Sequence, residues 1–202
     1  MIAAAVDLID SDGVDALSMR RLAARLGVTP MALYNHVADK HDLIAGVVSH
    51  VVRAIELPGA DVPWQARLRE VFAALRQLYL DHPNIVPLIQ ASTTISAAQL
   101  GPMEVALDAL IDAGLPMSRA REAWVALISL TNGHVAYQLR GHLASADPAV
   151  GSAIQAAGDF PRISAAVAMH APLDYDAAFA TALDALIHGV TRQPHDGPRH
   201  GG

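Results

Sequence analysis

Between Ser18 and Thr29 the stretch SMRRLAARLGVT carries a helix-capping residue at each end and a single glycine, Gly27, near its close. No other stretch restricts the fold as much. A serine ahead of an apolar-periodic run accepts the first free amides of a helix, and a glycine ends that helix by entering a left-handed turn. Thr29 then caps another helix, with Pro30 at its first turn, where the missing N–H does no harm. Two short helices joined by a tight turn follow, which is the helix-turn-helix pattern. Leu22, Leu26, Val28 and Leu33 are expected in the shared core, and Ala23 and Ala24 let the helices approach closely. Thr29, Pro30, Met31, Tyr34, Asn35 and His36 are left around the exposed face and end of the second helix. A plain helical hairpin carries the same pattern, so both readings stay open on the pattern alone.

The rest of the chain reads helical as well. Ala, Leu and Arg are abundant, and no alternating strand pattern is bounded by a hairpin turn. Ile2, Ala5, Val6 and Ile9 line a first helix that stops near Asp12 and Gly13. Asp39 caps a fourth, whose stripe Leu43, Ile44, Val47, Val48, Val51, Val52 and Ile55 runs until Pro58. Longer segments follow: Trp64 to about Asp81, a short helix from Ile85 to Gln90, then 102 to 113 and 117 to about 142. The stretch 144 to 160 reads as loose. A short helix over 162 to 169 precedes a last long one from Asp174 to about Val190, striped by Phe179, Leu183, Leu186, Ile187 and Val190. The fold class expected is all-α, and 193–202 reads as a disordered tail.

Composition narrows the function classes. Cysteine is absent, which removes disulfides, thiolate catalysis and cysteine-ligated zinc. The longest apolar runs fall short of the roughly 18 residues a membrane span needs, and the opening residues lack a basic n-region and a cleavage site. The reading is a cytoplasmic protein. Net charge is −6, against a wholly basic nucleic-acid binder. The charges are segregated, however: Asp7, Asp10, Asp12 and Asp15 precede Arg20, Arg21 and Arg25, which permits a local positive face. Lys40 is the only lysine in the chain and falls at the start of the fourth helix. His134 and His142 are spaced too far apart for a zinc pair. No phosphate-cradling glycine loop, HExxH or nucleophile elbow appears, so neither a cofactor nor an enzyme is indicated.

Residues 4–44, AAxxLIDxDGVDALSMRRLAARLGVTPMALYNHVADKHDLI, resemble the DNA-binding region of the tetracycline-repressor (TetR) family. The match includes the segment from Tyr34 through Val37 to Lys40. Trp64-Gln65, the Gly114-Leu115 turn, Gly133 and AFATALDALIHG extend it, more weakly, to the regulatory half of members similar to the tetracycline repressor itself. The family carries a basic arm ahead of the first helix that these residues lack; an absent arm and an upstream start both remain open. The resemblance implies a DNA-binding domain over 1–45 and a helical ligand-binding and dimerisation domain over 46–192.

It also implies residue roles. Lys40 and Tyr34 would contact phosphates, and a lysine near helix N-terminal amides suits a phosphate oxygen. Arg20 would reach a guanine edge, while Arg21 and Arg25 would be surface charges or phosphate contacts. Ser18, Thr29, Pro30, Met31, Asn35 and His36 complete the expected DNA-facing set. Met31 and Met19 depart from the pattern of the tetracycline repressor, so its operator would not be copied. Helices 121–142 and 174–191 would supply a homodimer bundle.

Val71, Leu75, Leu78, Tyr79, Met103, Leu107, Leu110, Trp124 and Ile128 would wall a chamber for a small-molecule effector. Gln90 stands near the place of the repressor's magnesium-linked histidine, which points to a less polar ligand than tetracycline–magnesium. The implied function is a ligand-responsive homodimeric repressor of a palindromic operator. An activator or ligand-independent regulator is the alternative, and a helical enzyme or scaffold lacks a visible constellation.

Overall fold

A computed structural model describes residues 1–91, 97–140, 160–168 and 173–192. Among these residues every regular element is helical. The head contains α1 (Ile2–Asp12), a 3-10 turn (Val14–Ala16), α2 (Met19–Leu26), α3 (Pro30–Tyr34) and α4 (Lys40–Arg53). The second half, for which the resemblance implies a regulatory role, contains α5 (Trp64–Asp81), α6 (Val86–Ala91), α7 (Ala97–Asp112), α8 (Met117–Arg140), α9 (Pro161–Ala168) and α10 (Tyr175–Arg192).

Local chemistry sets the short helices. Ser18 Oγ accepts from the Arg21 amide at 3.2 Å, and Thr29 Oγ1 accepts from the Ala32 amide at 3.4 Å. Gly27 takes φ 68°, and the Val28 amide reaches back to Ala23 O at 3.0 Å. That pairing closes α2 with a Schellman turn. The same device ends α7, where Gly114 has φ 92° and the Leu115 amide bonds Leu110 O at 3.2 Å. Asp39 Oδ1 accepts from the Asp42 amide at 2.8 Å, and Asp42 Oδ2 accepts from the Ala38 amide at 3.0 Å. This reciprocal cap starts α4.

In the head, α1 packs on α4, and α2 packs on α1 and α3. Leu8, Ile9, Leu17, Leu22, Leu33, Leu43 and Val47 form its interior. In the regulatory half α5, α7 and α8 pack against one another, and α10 lies on α8 and α5. The halves meet where α4 crosses α7. A polar clamp joins them too: His82 Nδ1 lies 2.7 Å from Asp10 Oδ2, and Asn84 Nδ2 donates to Ile9 O and Asp10 O, each at 3.1 Å. Asn84 thereby satisfies carbonyls in the last turn of α1, where helical partners run out.

Four sequence expectations change. Val28 is exposed, because the left-handed step at Gly27 turns it out of the core, and Ala24 faces solvent about 100° around the helix from the inward Ala23. The helix expected from residue 102 extends back to Ala97, with buried Pro102 inside it. Burial of Pro102, Ala106, Ala109 and Leu110 along that helix offsets the poor propensity of an interior proline, which tertiary packing overrides. Leu183, expected in a dimer stripe, is buried within its own chain together with Phe179 and Ile187. The expectations for 144–159 and for the 193–202 tail fall outside the described residues.

Candidate functional site

Most of the expected DNA-facing residues are exposed in the head. Met31 is 73% exposed and Tyr34 47% exposed on α3, while Leu33 between them is buried. Thr29, Pro30, Asn35 and His36 flank them at the two ends of α3 and are exposed. A short helix anchored by one buried leucine thus turns its remaining side chains outward. The chain folds back at once, with the His36 amide on Leu33 O at 2.9 Å and buried Val37 filling the gap. Lys40 is the first residue of α4 and exposed. The Asp39 and Asp42 carboxylates beside it are engaged by backbone amides.

On α2, Arg20 is exposed and Ser18 is half-buried as the cap. Arg21 is tied down: its Nη2 donates to Asp12 Oδ2 at 2.6 Å. This exposed pair is worth little in stability. It nevertheless draws one of the three arginine charges of α2 toward the acidic end of α1. Arg20 and Arg25 stay exposed on the same helix.

The nine expected chamber residues lie on α5, α7 and α8, the three helices that pack mutually. Val71 and Leu110 are fully buried, and Leu75, Leu78 and Tyr79 nearly so. Met103, Leu107, Trp124 and Ile128 are half-buried. The Trp124 ring meets Phe72 at 5.5 Å between centroids, which joins α8 to α5. Burial raises the Tyr79 phenol above its ordinary 10.0. The assembly is apolar with a single hydroxyl, a composition suited to a largely apolar guest.

Two polar features escape a reading of the sequence. The His82–Asn84 clamp on α1 has no periodic signature, since the residues of the turn find their partners over 70 positions earlier. The second is a set of arginines on α5. Arg67 is only 4% exposed and pairs with Asp112, while Arg69 Nε donates to Asp184 at 2.6 Å. Arg76 is 8% exposed and reaches Gln138 and Asp176, each at 2.7 Å. An arginine one residue from an apolar stripe is the only hint the sequence holds. On the outward sides of α8, Val125, Tyr137 and Leu139 are exposed although apolar, at 59%, 40% and 50%. Val125 and Leu139 lie within about 40° of each other around the helix and are apolar area that a partner can cover.

Comparison with known proteins agrees with this architecture. Residues 1–47 match the family described as "Bacterial regulatory proteins, tetR family", and residues 57–193 match "Tetracyclin repressor-like, C-terminal domain". The chain is 30% identical over 145 residues to the HTH-type transcriptional repressor DrrR1 of Streptomyces coeruleorubidus, covering 71% of this chain and 52% of that one. It spans little more than half the length of that relative and of an HTH-type transcriptional regulator from Saccharopolyspora erythraea, of which 58% is covered. The tetracycline repressor protein class A of Escherichia coli matches at 29% identity over 209 residues, covering 100% of this chain and 95% of that one. Among solved structures, the Streptomyces coelicolor protein ActR in complex with actinorhodin superposes with TM-score 0.76 at 25% identity, covering 94% of this chain and 93% of that one. A possible TetR family regulator from the same organism superposes with TM-score 0.74 at 27% identity, covering 94% and 96%.

Proposed function

Because this chain belongs to the TetR family of bacterial transcriptional regulators, we propose that it is a homodimeric repressor released from a palindromic operator by a small-molecule effector. The observation that carries this reading is the exposed face of α3 with Lys40 beside it: side chains that could reach bases and phosphates, on a helix held by caps and one buried leucine. Residues 1–45 form the reading head and residues 46–192 the regulatory domain, with α4 running across the boundary while it packs on α1. Tyr34 and Lys40 contact phosphates, with His36 and Asn35 at the same edge. Arg20 reads a guanine, and the Met31 side chain lies against a thymine methyl. Ser18, Thr29 and Pro30 fix the helix ends that approach the backbone, and Arg21 adds a phosphate contact by leaving its exposed ion pair with Asp12.

Two recognition helices must stand about 34–36 Å apart to enter successive major grooves, so the functional unit is a dimer. Its interface uses the outward sides of α8 and α10, since the inward stripe of α10 is spent on its own chain. The chamber of α5, α7 and α8 takes an effector with a large apolar body; the similarly folded ActR is solved in complex with actinorhodin. The clamp of His82 and Asn84 on α1 and the crossing of α4 on α7 carry the change to the head. The protein works in the cytoplasm, and no described helix is long and apolar enough to cross a membrane.

Fluorescence anisotropy with the DNA upstream of the gene tests the reading. Wild-type protein should bind with a steep salt dependence. Lys40→Ala should flatten the slope by roughly one unit for each phosphate the lysine no longer neutralises, two in a dimer. Unchanged affinity and slope in Lys40→Ala would remove the phosphate assignment. Assembly separates similarly: Val125→Glu should yield a folded monomer in sedimentation, whereas Leu183→Asp should unfold the chain, because it buries an unpaired charge.

A further inference from the structure

The arginine in the middle of α5 heads a cluster that an apolar chamber leaves unused. The Arg76 Nη2 atom donates to Gln138 Oε1 of α8 and to Asp176 Oδ1 of α10. Its guanidinium carbon lies 5.2 Å from the centroid of the Phe179 ring. His134 meets the same phenyl ring at 5.1 Å, and Tyr175 stands edge-on to His134 at 6.0 Å. Side chains from three helices therefore converge around one aromatic ring.

The donors in this cluster outnumber their acceptors. A buried guanidinium is stable when a carboxylate and further acceptors fill its donors. Among the described residues the one carboxylate on Arg76 belongs to Asp176, whose side chain is 85% exposed and which holds a single nitrogen. Arg76 Nε is buried without a partner, and so is the Tyr175 hydroxyl. His134 Nε2 is committed to Tyr175 O at 3.0 Å. Burial, ahead of the other influences, lowers the imidazole below its ordinary 6.5, which leaves Arg76 as the fixed positive charge. A buried cation with an unfilled donor, a counter-ion whose side chain is mostly in water, and an aromatic ring alongside suit an aromatic acid.

We infer that this cluster is an anion subsite that takes the carboxylate of an aromatic effector. The carboxylate pairs with the Arg76 guanidinium in place of Asp176, and the effector ring packs on Phe179 and His134. Arginine presents the planar fork that a carboxylate fills with two hydrogen bonds. Asp176 leaves easily because its side chain is already mostly in water, and its departure frees the first turn of α10 from α5. The inference rests on reading residues 46–192 as an effector domain, and it narrows the effector from an apolar molecule to an apolar acid.

The test is calorimetric titration of the full chain with 2-naphthoate and its neutral isostere 2-naphthamide. Wild-type protein should bind the acid about tenfold or more tightly than the amide, the factor one charge-assisted pair supplies. Arg76→Gln should abolish that preference and leave the amide unaffected. Asp176→Asn removes the internal competitor's charge at an exposed position that does not threaten folding, and should tighten the acid alone. That variant therefore tests the inference even where Arg76→Gln fails to fold. Failure of the acid to bind, equal binding of acid and amide, an unaltered preference in folded Arg76→Gln, or no gain in Asp176→Asn overturns it. The same samples, carried into the operator titration, separate the two readings. Naphthoate binding through Arg76 without any change in operator occupancy keeps the subsite and removes effector control. Operator release by neutral compounds while naphthoate does not bind does the reverse.

Discussion

Among the described residues, the helices up to Arg53 bury no charged side chain, while those from Trp64 onward bury Arg67 and Arg76. Polar groups with structural work in the head stand at helix ends: Ser18, Thr29, Asp39 and Asp42 each accept from a backbone amide. From Trp64 onward the arginines of α5 lie inside their helix and bridge it to its neighbours, Arg67 to Asp112, Arg69 to Asp184 and Arg76 to Gln138 and Asp176. Helix length explains the contrast. In an eight-residue helix such as α2 most amides and carbonyls belong to the end turns, so capping decides whether it forms. The 18-residue α5 satisfies most of its backbone internally. It must instead find one register among three neighbours, and cross-helix polar pairs distinguish that register from its alternatives.

If the head is specified by a tight interior and its caps, its core should be the least forgiving place in the molecule. Leu43→Ala, at a fully buried position on α4 within the head's interior, should cost about 2–5 kcal/mol. Denaturant unfolding measures it, and a loss well under that range would break the picture of a close-packed head. The caps come next. Gly27→Ala forces a side chain into φ 68° and should cost on the order of 1 kcal/mol. Asp39→Ala should cost about 0.5–2 kcal/mol, and should lower operator affinity besides, because it loosens the helix start that bears Lys40.

The regulatory half should respond more weakly, and first to acid. The folded state holds His134 below its ordinary 6.5, whereas the unfolded chain protonates at that value. Its contribution is therefore fully present above the unfolded value and is lost as pH falls from there through the depressed folded one. Melting curves from about pH 7 to about pH 5 should show a shallower decline for His134→Gln. An identical decline in both proteins would assign the acid response to other groups. The smallest effect is expected at Arg67→Met. The side chain is buried, but its Nε lacks a partner and Asp112 is 56% exposed, so a hydrophobic replacement should fall within about 1 kcal/mol of the wild type. A large loss there would make that arginine a keystone of the bundle and overturn the contrast in its present form.

Most of the head is legible from the amino acids. The caps at Ser18, Thr29 and Asp39, the glycine stop at Gly27, and the inward stripe of α4 all lie within a few residues of the groups they satisfy. Val28 and Ala24 are exceptions; an apolar residue just past a glycine cap carries no sign of which way the turn will aim it. In the regulatory half the extent of α5 and the stripe of α10 are also legible. Whether that stripe meets its own chain or a partner is not. The reach of His82 and Asn84 to Asp10 and Ile9 leaves no local mark at all, and the pairing of the α5 arginines leaves hardly any.

The division follows from the range of the forces concerned. Helix starts and stops depend on backbone groups within about four residues, so the neighbouring side chains settle them before any tertiary contact forms. Amphipathic stripes add that one side must be covered, without naming the cover. Which helix arrives, and what it brings, depends on residues far apart in the chain. Only the assembled bundle could send Leu183 inward and leave Val125 outside, and only there could Arg76 sit under α8 and α10 with a donor unfilled. Burial and pairing of a charge are properties of the whole neighbourhood, and that neighbourhood exists only once the helices have packed.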